Sequence, residues 1–91
     1  MRRYAARRDA NEGAIVAALR AAGCSVLRLD TVDLLVGRAG RNYLFEVKDG
    51  SKPPSARKLT PTQRGLRAEW RGQYTVVTSP TDALAKLEGL R

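Results

Sequence analysis

The stretch Leu44-Phe45-Glu46-Val47-Lys48 restricts what this chain can become more than any other. Its residues favour a strand, in which positions i and i+2 share a face with about 6.6–6.8 Å between their Cα atoms. Glu46 and Lys48 therefore stand side by side in an otherwise apolar strand. A charge buried there is costly unless it is paired or coordinated. The strand is thus either a half-exposed edge with a salt bridge or the floor of an active site.

The flanking sequence supplies the rest of a sheet. "DANEGAIVAALRAAG" (9–23) predicts a helix, with Asp9 as its cap, Glu12 at the third helical position and Gly23 as its stop. Ile15, Val16, Leu19 and Ala22 recur at helical spacing. "SVLRL" (25–29) is a strand with Leu27 and Leu29 as its apolar residues, and Asp30-Thr31 a turn. "VDLLVG" (32–37) and "YLFEVK" (43–48) are the next two strands, joined through "GRAGRN". The segment 49–58, rich in Gly, Ser, Pro and basic residues, is a loop. A second helix starts from Thr60 and Pro61 and ends at Gly72, with Leu66 and Trp70 facing the sheet. "YTVVT" (74–78) is a fourth strand. Ser79 and Pro80 open a closing helix with Leu84 and Leu87 inward. The order α-β-β-β-α-β-α gives an α/β fold: a mixed four-stranded sheet flanked by helices. It forms one domain over 1–91, of which 1–8 is a basic N-terminal arm with Arg2, Arg3, Arg7 and Arg8.

Charge and absences narrow the chemistry. Seventeen Lys and Arg against nine Asp and Glu leave a net +8. That excess suits a polyanion, most often nucleic acid, although a soluble basic surface or a ribosomal-type binding protein has the same balance. There is no histidine, which excludes Ser-His and Cys-His catalysis and His-ligated zinc. Cys24 is alone, so there is neither an internal disulfide nor a CxxC knuckle; a small buried filler is expected at a helix-to-strand corner. No apolar run approaches the ~20 residues of a membrane span. "MRRYAARRDANEG" lacks the apolar core of a signal peptide, and a cytoplasmic protein is expected.

Asp33, Glu46 and Lys48 form the constellation to weigh. Asp33 begins one strand and Glu46 lies in its hairpin neighbour, about 4.8 Å away. Two bare carboxylates that close repel, and one tends to hold a proton. A hard divalent cation such as magnesium removes the conflict and keeps waters for a phosphate. Lys48 can steady water or the charge developing on that phosphate. A solvated edge pair has the same spacing. Glu12 shares the buried face of its helix, yet Asp9-x-x-Glu12 also resembles a capping box. Gln63 has the same double reading, since Thr60-x-x-Gln63 matches a capping box outright.

In order, "VDLLVG", "YLFEVK" and "LTPTQ" resemble the PD-(D/E)XK nuclease superfamily, and most of all its small VRR-NUC endonucleases and archaeal-type Holliday-junction resolvases. The resemblance runs from Glu12 to about Leu87. It implies a restriction-endonuclease-like fold in which Asp33 and Glu46 bind the metal, Val47 contributes its carbonyl and Lys48 is the catalytic lysine. Glu12 is then the helix carboxylate, catalytic and metal-ligating, and Gln63 the amide of the following helix. Val32 stands where the family often has proline, which does no chemistry. "RLDTVD" lacks the usual Gly/Ser-rich loop that touches substrate, which leaves junction preference open. The implied activity is a Mg2+-dependent DNA endonuclease, with Mn2+ able to substitute, that uses a metal-activated water on a Holliday junction or other branched DNA. The alternatives are a non-catalytic nucleic-acid-binding module and a nickase or nuclease on unbranched DNA. A prokaryotic or phage-encoded homodimer fits, with Tyr4, Ile15, Val16, Leu87 and Leu90 as its expected surface. Arg2, Arg3, Arg7, Arg8, Lys52, Arg57 and Lys58 are the expected contacts to the DNA backbone.

Overall fold

Residues 9–90 are described by a computed structural model, and their elements follow the expected order. These are α1 (Glu12–Ala21), β1 (Ser25–Arg28), β2 (Leu34–Arg38), β3 (Arg41–Val47), α2 (Pro61–Glu69), β4 (Thr75–Val77) and α3 (Pro80–Gly89), with a short 3-10 turn at Pro54–Arg57. The sheet order is β1-β2-β3-β4. The first three strands form an antiparallel meander, and β4 joins β3 in parallel. The mixed α/β architecture is therefore as expected. The arm residues Arg2, Arg3, Arg7 and Arg8, and Tyr4, lie outside the described residues.

Backbone chemistry explains where the elements stop. Past the end of α1, Gly23 takes φ +93°, and the amides of Gly23 and Cys24 return to the carbonyls of Arg20 and Leu19. This is the Schellman arrangement, and glycine fits its left-handed position without strain. The β2–β3 hairpin turns through Ala39 (φ 51°) and Gly40 (φ 78°). Both central residues have positive φ, as a type I′ turn requires to match the twist of its strands. Thr60 caps α2 in a full capping box with Gln63. Ser79 caps α3 by accepting from the Asp82 amide.

One face of the sheet carries the core. Ile15, Val16 and Leu19 of α1 and Ala83 and Leu87 of α3 close over Val26, Leu34, Val36, Tyr43, Phe45, Val47 and Val77. Burying each large side chain contributes about 1.5–3 kcal/mol. Cys24 is buried at the helix-to-strand corner, as expected.

Several local expectations are corrected. Asn11, not Asp9, precedes α1, and Glu12 is its first residue rather than its third. Val26 is the core residue of β1, while Leu27 is 61 % exposed. Val26 pairs with the fully buried Val36, and that register decides which face turns inward. The second helix ends with Trp70 as its cap rather than at Gly72. It buries no residue, and Trp70, 47 % exposed, stands beside Leu35 and Leu44 on the sheet face opposite the core rather than in the core. Ile15, Val16 and Leu87 belong to the core, and Leu90 packs against it, so these residues do not form an exposed dimer surface.

Candidate active site

The pairing of β2 with β3 brings the two central carboxylates together. Leu34 faces Phe45 across the hairpin, so Asp33 and Glu46 are the next opposed positions. Asp33 is anchored from both sides of its backbone. Its carbonyl accepts from the Leu29 amide at 2.9 Å, and its Oδ2 accepts from the Val47 amide at 2.8 Å.

Glu46 is 1 % exposed. Burial pushes its carboxyl up to about 8, helped by the hydrogen bond with Asp33 and by that group's charge. The Lys48 charge and a bond from the Tyr74 hydroxyl (3.3 Å) oppose the shift without cancelling it. Glu46 thus keeps its proton at neutral pH, as burial beside a second carboxyl favours. Burial and the neighbouring Glu46 in turn raise the Tyr74 phenol to about 12.

Gln63 joins this pair to the lysine. Its Nε2 donates to Glu46 Oε2 at 2.7 Å, and its Oε1 accepts from Lys48 Nζ at 2.8 Å. The same oxygen accepts from the Thr60 amide at 2.8 Å, closing the capping box. Gln63 therefore caps the helix and reaches the site at once. The cap helps to fix the amide, because a flipped side chain would turn its NH2 toward two donors.

These residues line a cleft of about 490 Å³ together with Asp9, Asp30, Thr31, Val47, Thr60 and Thr62. The sequence reading missed Asp9, Asn11 and Tyr74. Burial raises the Asp9 carboxyl, against the lowering charges of Lys48 and Lys52. Asn11 donates from Nδ2 to the carbonyls of Lys48 (3.1 Å) and Thr78 (2.9 Å), tying the start of α1 to the ends of β3 and β4. Tyr74 reaches Glu46 only because β4 lies beside β3, a pairing across about thirty residues that no local pattern announces.

Glu12 is buried but lies outside the set lining the cleft. Its Oε2 meets Arg28 Nε at 3.1 Å. In the following loop, Lys52 and Lys58 are exposed and Arg57 is half-buried.

Two carboxylates, a lysine and a fixed amide converge on one concave wall. Among the described residues no three Asp, Glu, His or Cys side chains gather as a metal-binding group. The chain was compared with protein-family models, with curated proteins and with solved structures. None matches. No helix among the described residues is long and apolar enough to cross a membrane.

Proposed function

We propose that this protein is a metal-dependent DNA endonuclease of the PD-(D/E)XK type, acting on branched DNA as a homodimer that offers two clefts to two strands. The observation that carries this reading is the Gln63 amide, which holds Glu46 and Lys48 in one cleft beside Asp33.

The donor set fits magnesium. Mg2+ is commonly held by one or two carboxylates and keeps most of its waters. Asp33 and Glu46 are in contact, Glu46 keeps a proton when the pair is alone, and a divalent cation would replace that proton with two charges. Asp33 and Glu46 would hold Mg2+, or Mn2+ in its place, with the Val47 carbonyl as the third donor that the resemblance implies. When bound, the cation supplies Lewis-acid stabilisation of the phosphate charge and acidifies water.

The chain's own residues do the remainder. Lys48 presents a cation to the phosphate oxygens from a fixed position, because Gln63 Oε1 holds its ammonium. Tyr74 and Gln63 orient Glu46, and the Val47 amide orients Asp33. The exposed Lys52 and Lys58 lie on the loop leaving β3, where they favour the approach of a polyanion.

A labelled four-way junction and a linear duplex, each incubated with and without Mg2+, test the reading. Cleavage that requires the metal is expected, and Asp33→Ala or Lys48→Ala should lower its rate about a hundredfold or more. Mg2+ at pH 8 should also raise the melting temperature of the parent chain and leave that of Asp33→Ala unchanged. No cleavage of either substrate, with DNA binding intact, favours the rival reading: a basic nucleic-acid-binding module. Its support is that Glu46, Gln63 and Lys48 satisfy one another without any metal.

A further inference from the structure

The sheet has a second face, and part of it is open to solvent, with Ser25, Leu27 and Asn42 exposed. The registers set Leu27, Leu35 and Leu44 in one row across β1, β2 and β3, opposite the core face. Ser25, Gly37 and Asn42 form the next row. None of these six residues is charged, in a chain of seventeen basic and nine acidic side chains. Leu27 and Trp70 are the large apolar residues most exposed to solvent among those described. Trp70 also walls a hollow of about 280 Å³ with Leu35, Asn42, Leu44 and Gln73. The indole is held in place: Nε1 donates to the Gln73 carbonyl at 3.0 Å, and a Cβ at Gly72 would fall 2.8 Å from that nitrogen.

We propose that this uncharged part of the face docks a second copy of the chain, two sheets packing face to face about the leucine row. The inference rests on the homodimer of the proposed function and supplies its surface. Charge selects the occupant. Two copies at +8 each repel wherever their basic side chains meet, and the two uncharged rows bring none together. A nucleic acid would need cations at the contact, and the two rows carry none. Shape agrees with a copy of the same chain. Leu27 projects from the face that also holds the Trp70 hollow, and a twofold rotation seats each Leu27 against the hollow of the other subunit. A stable interface takes about 800 Å² from each partner, roughly a seventh of this chain's 5792 Å². Asp33, just before β2, and Glu46 in β3 lie two residues from Leu35 and Leu44 on the same face, about 6.7 Å from the leucine row. The docked copy therefore borders the cleft.

Sedimentation of the full chain at micromolar concentration tests this. About twice the 10.0 kDa chain mass is expected. Leu27→Glu and Trp70→Ala should each weaken association about tenfold or more, with far-UV circular dichroism unchanged. Leu27 is largely exposed, so its variant keeps the test decisive should Trp70→Ala fail to fold. A monomeric parent chain, or a dimer that Leu27→Glu leaves intact, overturns the proposal. Metal-dependent cleavage is read separately. An inactive dimer sensitive to Leu27→Glu upholds the surface while overturning the nuclease, and an active monomer does the reverse.

Discussion

Glu46 keeps a proton that an ordinary glutamate gives up, and this has a measurable sign. The unfolded chain releases the proton near pH 4.5 and the folded chain near pH 8. Between these values the folded state binds more protons, so stability falls as pH rises across the window and levels off above it. Without divalent metal, urea unfolding should give a lower free energy at pH 8 than at pH 5. Glu46→Gln, which cannot ionise, should flatten that slope and exceed the parent at pH 8 by roughly 1–3 kcal/mol. A parent chain whose stability is flat over the window would refute the proton retained on Glu46. Glu46 and Lys48 were legible in the sequence because a strand's period of two is rigid, so two charges among apolar neighbours declare a common face. Gln63 was legible as a cap, and its reach to Glu46 follows from the same geometry. Asp9 was read only as a cap. Its place in the cleft depends on how the start of α1 meets the end of β3, which no short pattern encodes.

At the level of elements, one side chain joins three of them. Asn11 bonds the carbonyls of Lys48 and Thr78 and so fixes α1 against the ends of β3 and β4. Asn11→Ala would leave both carbonyls without that donor, at a cost of about 1–3 kcal/mol in chemical denaturation. The β2–β3 turn predicts the opposite sign. Ala39 holds φ 51°, which an L-residue adopts at a cost, and Ala39→Gly should gain about 0.5–1 kcal/mol in the same measurement. Caps and stops at Gly23, Thr60 and Ser79 could be read because each is a local match between a side chain or a glycine and nearby amides. The phase of β1 could not. Val26 and Leu27 are both apolar, and only pairing with β2 shows that Val26 belongs with Val36. Trp70 misled for a related reason: its spacing fits a buried helical stripe, but α2 lies against the site rather than the core.

For the molecule as a whole, excess positive charge should appear as salt dependence. Removing a cation that neutralises one phosphate lowers the slope of log K against log salt by about 0.9 on B-form DNA. Neutralising Arg57 and Lys58 together, as Arg57→Gln with Lys58→Gln, should therefore flatten the slope in binding titrations over a salt series. An unchanged slope would mark both as solvated surface. The element order of the whole chain was legible because helical and strand periods alternate cleanly along it, whereas the place of β4 beside β3 was not. The partner surface was not, since α1 and α3 place Ile15, Val16 and Leu87 against each other and the sheet.

The buried thiol at the α1–β1 corner has a practical consequence. Cys24 is the sole cysteine and is shielded from solvent, so a maleimide dye added to the folded chain would find little to react with. A Ser55→Cys variant, on the exposed turn after β3, would then carry a single fluorophore on the segment between the cleft residues Lys48 and Thr60 without removal of the native thiol. Its emission would show in real time whether DNA arrives, whether or not a strand is cut.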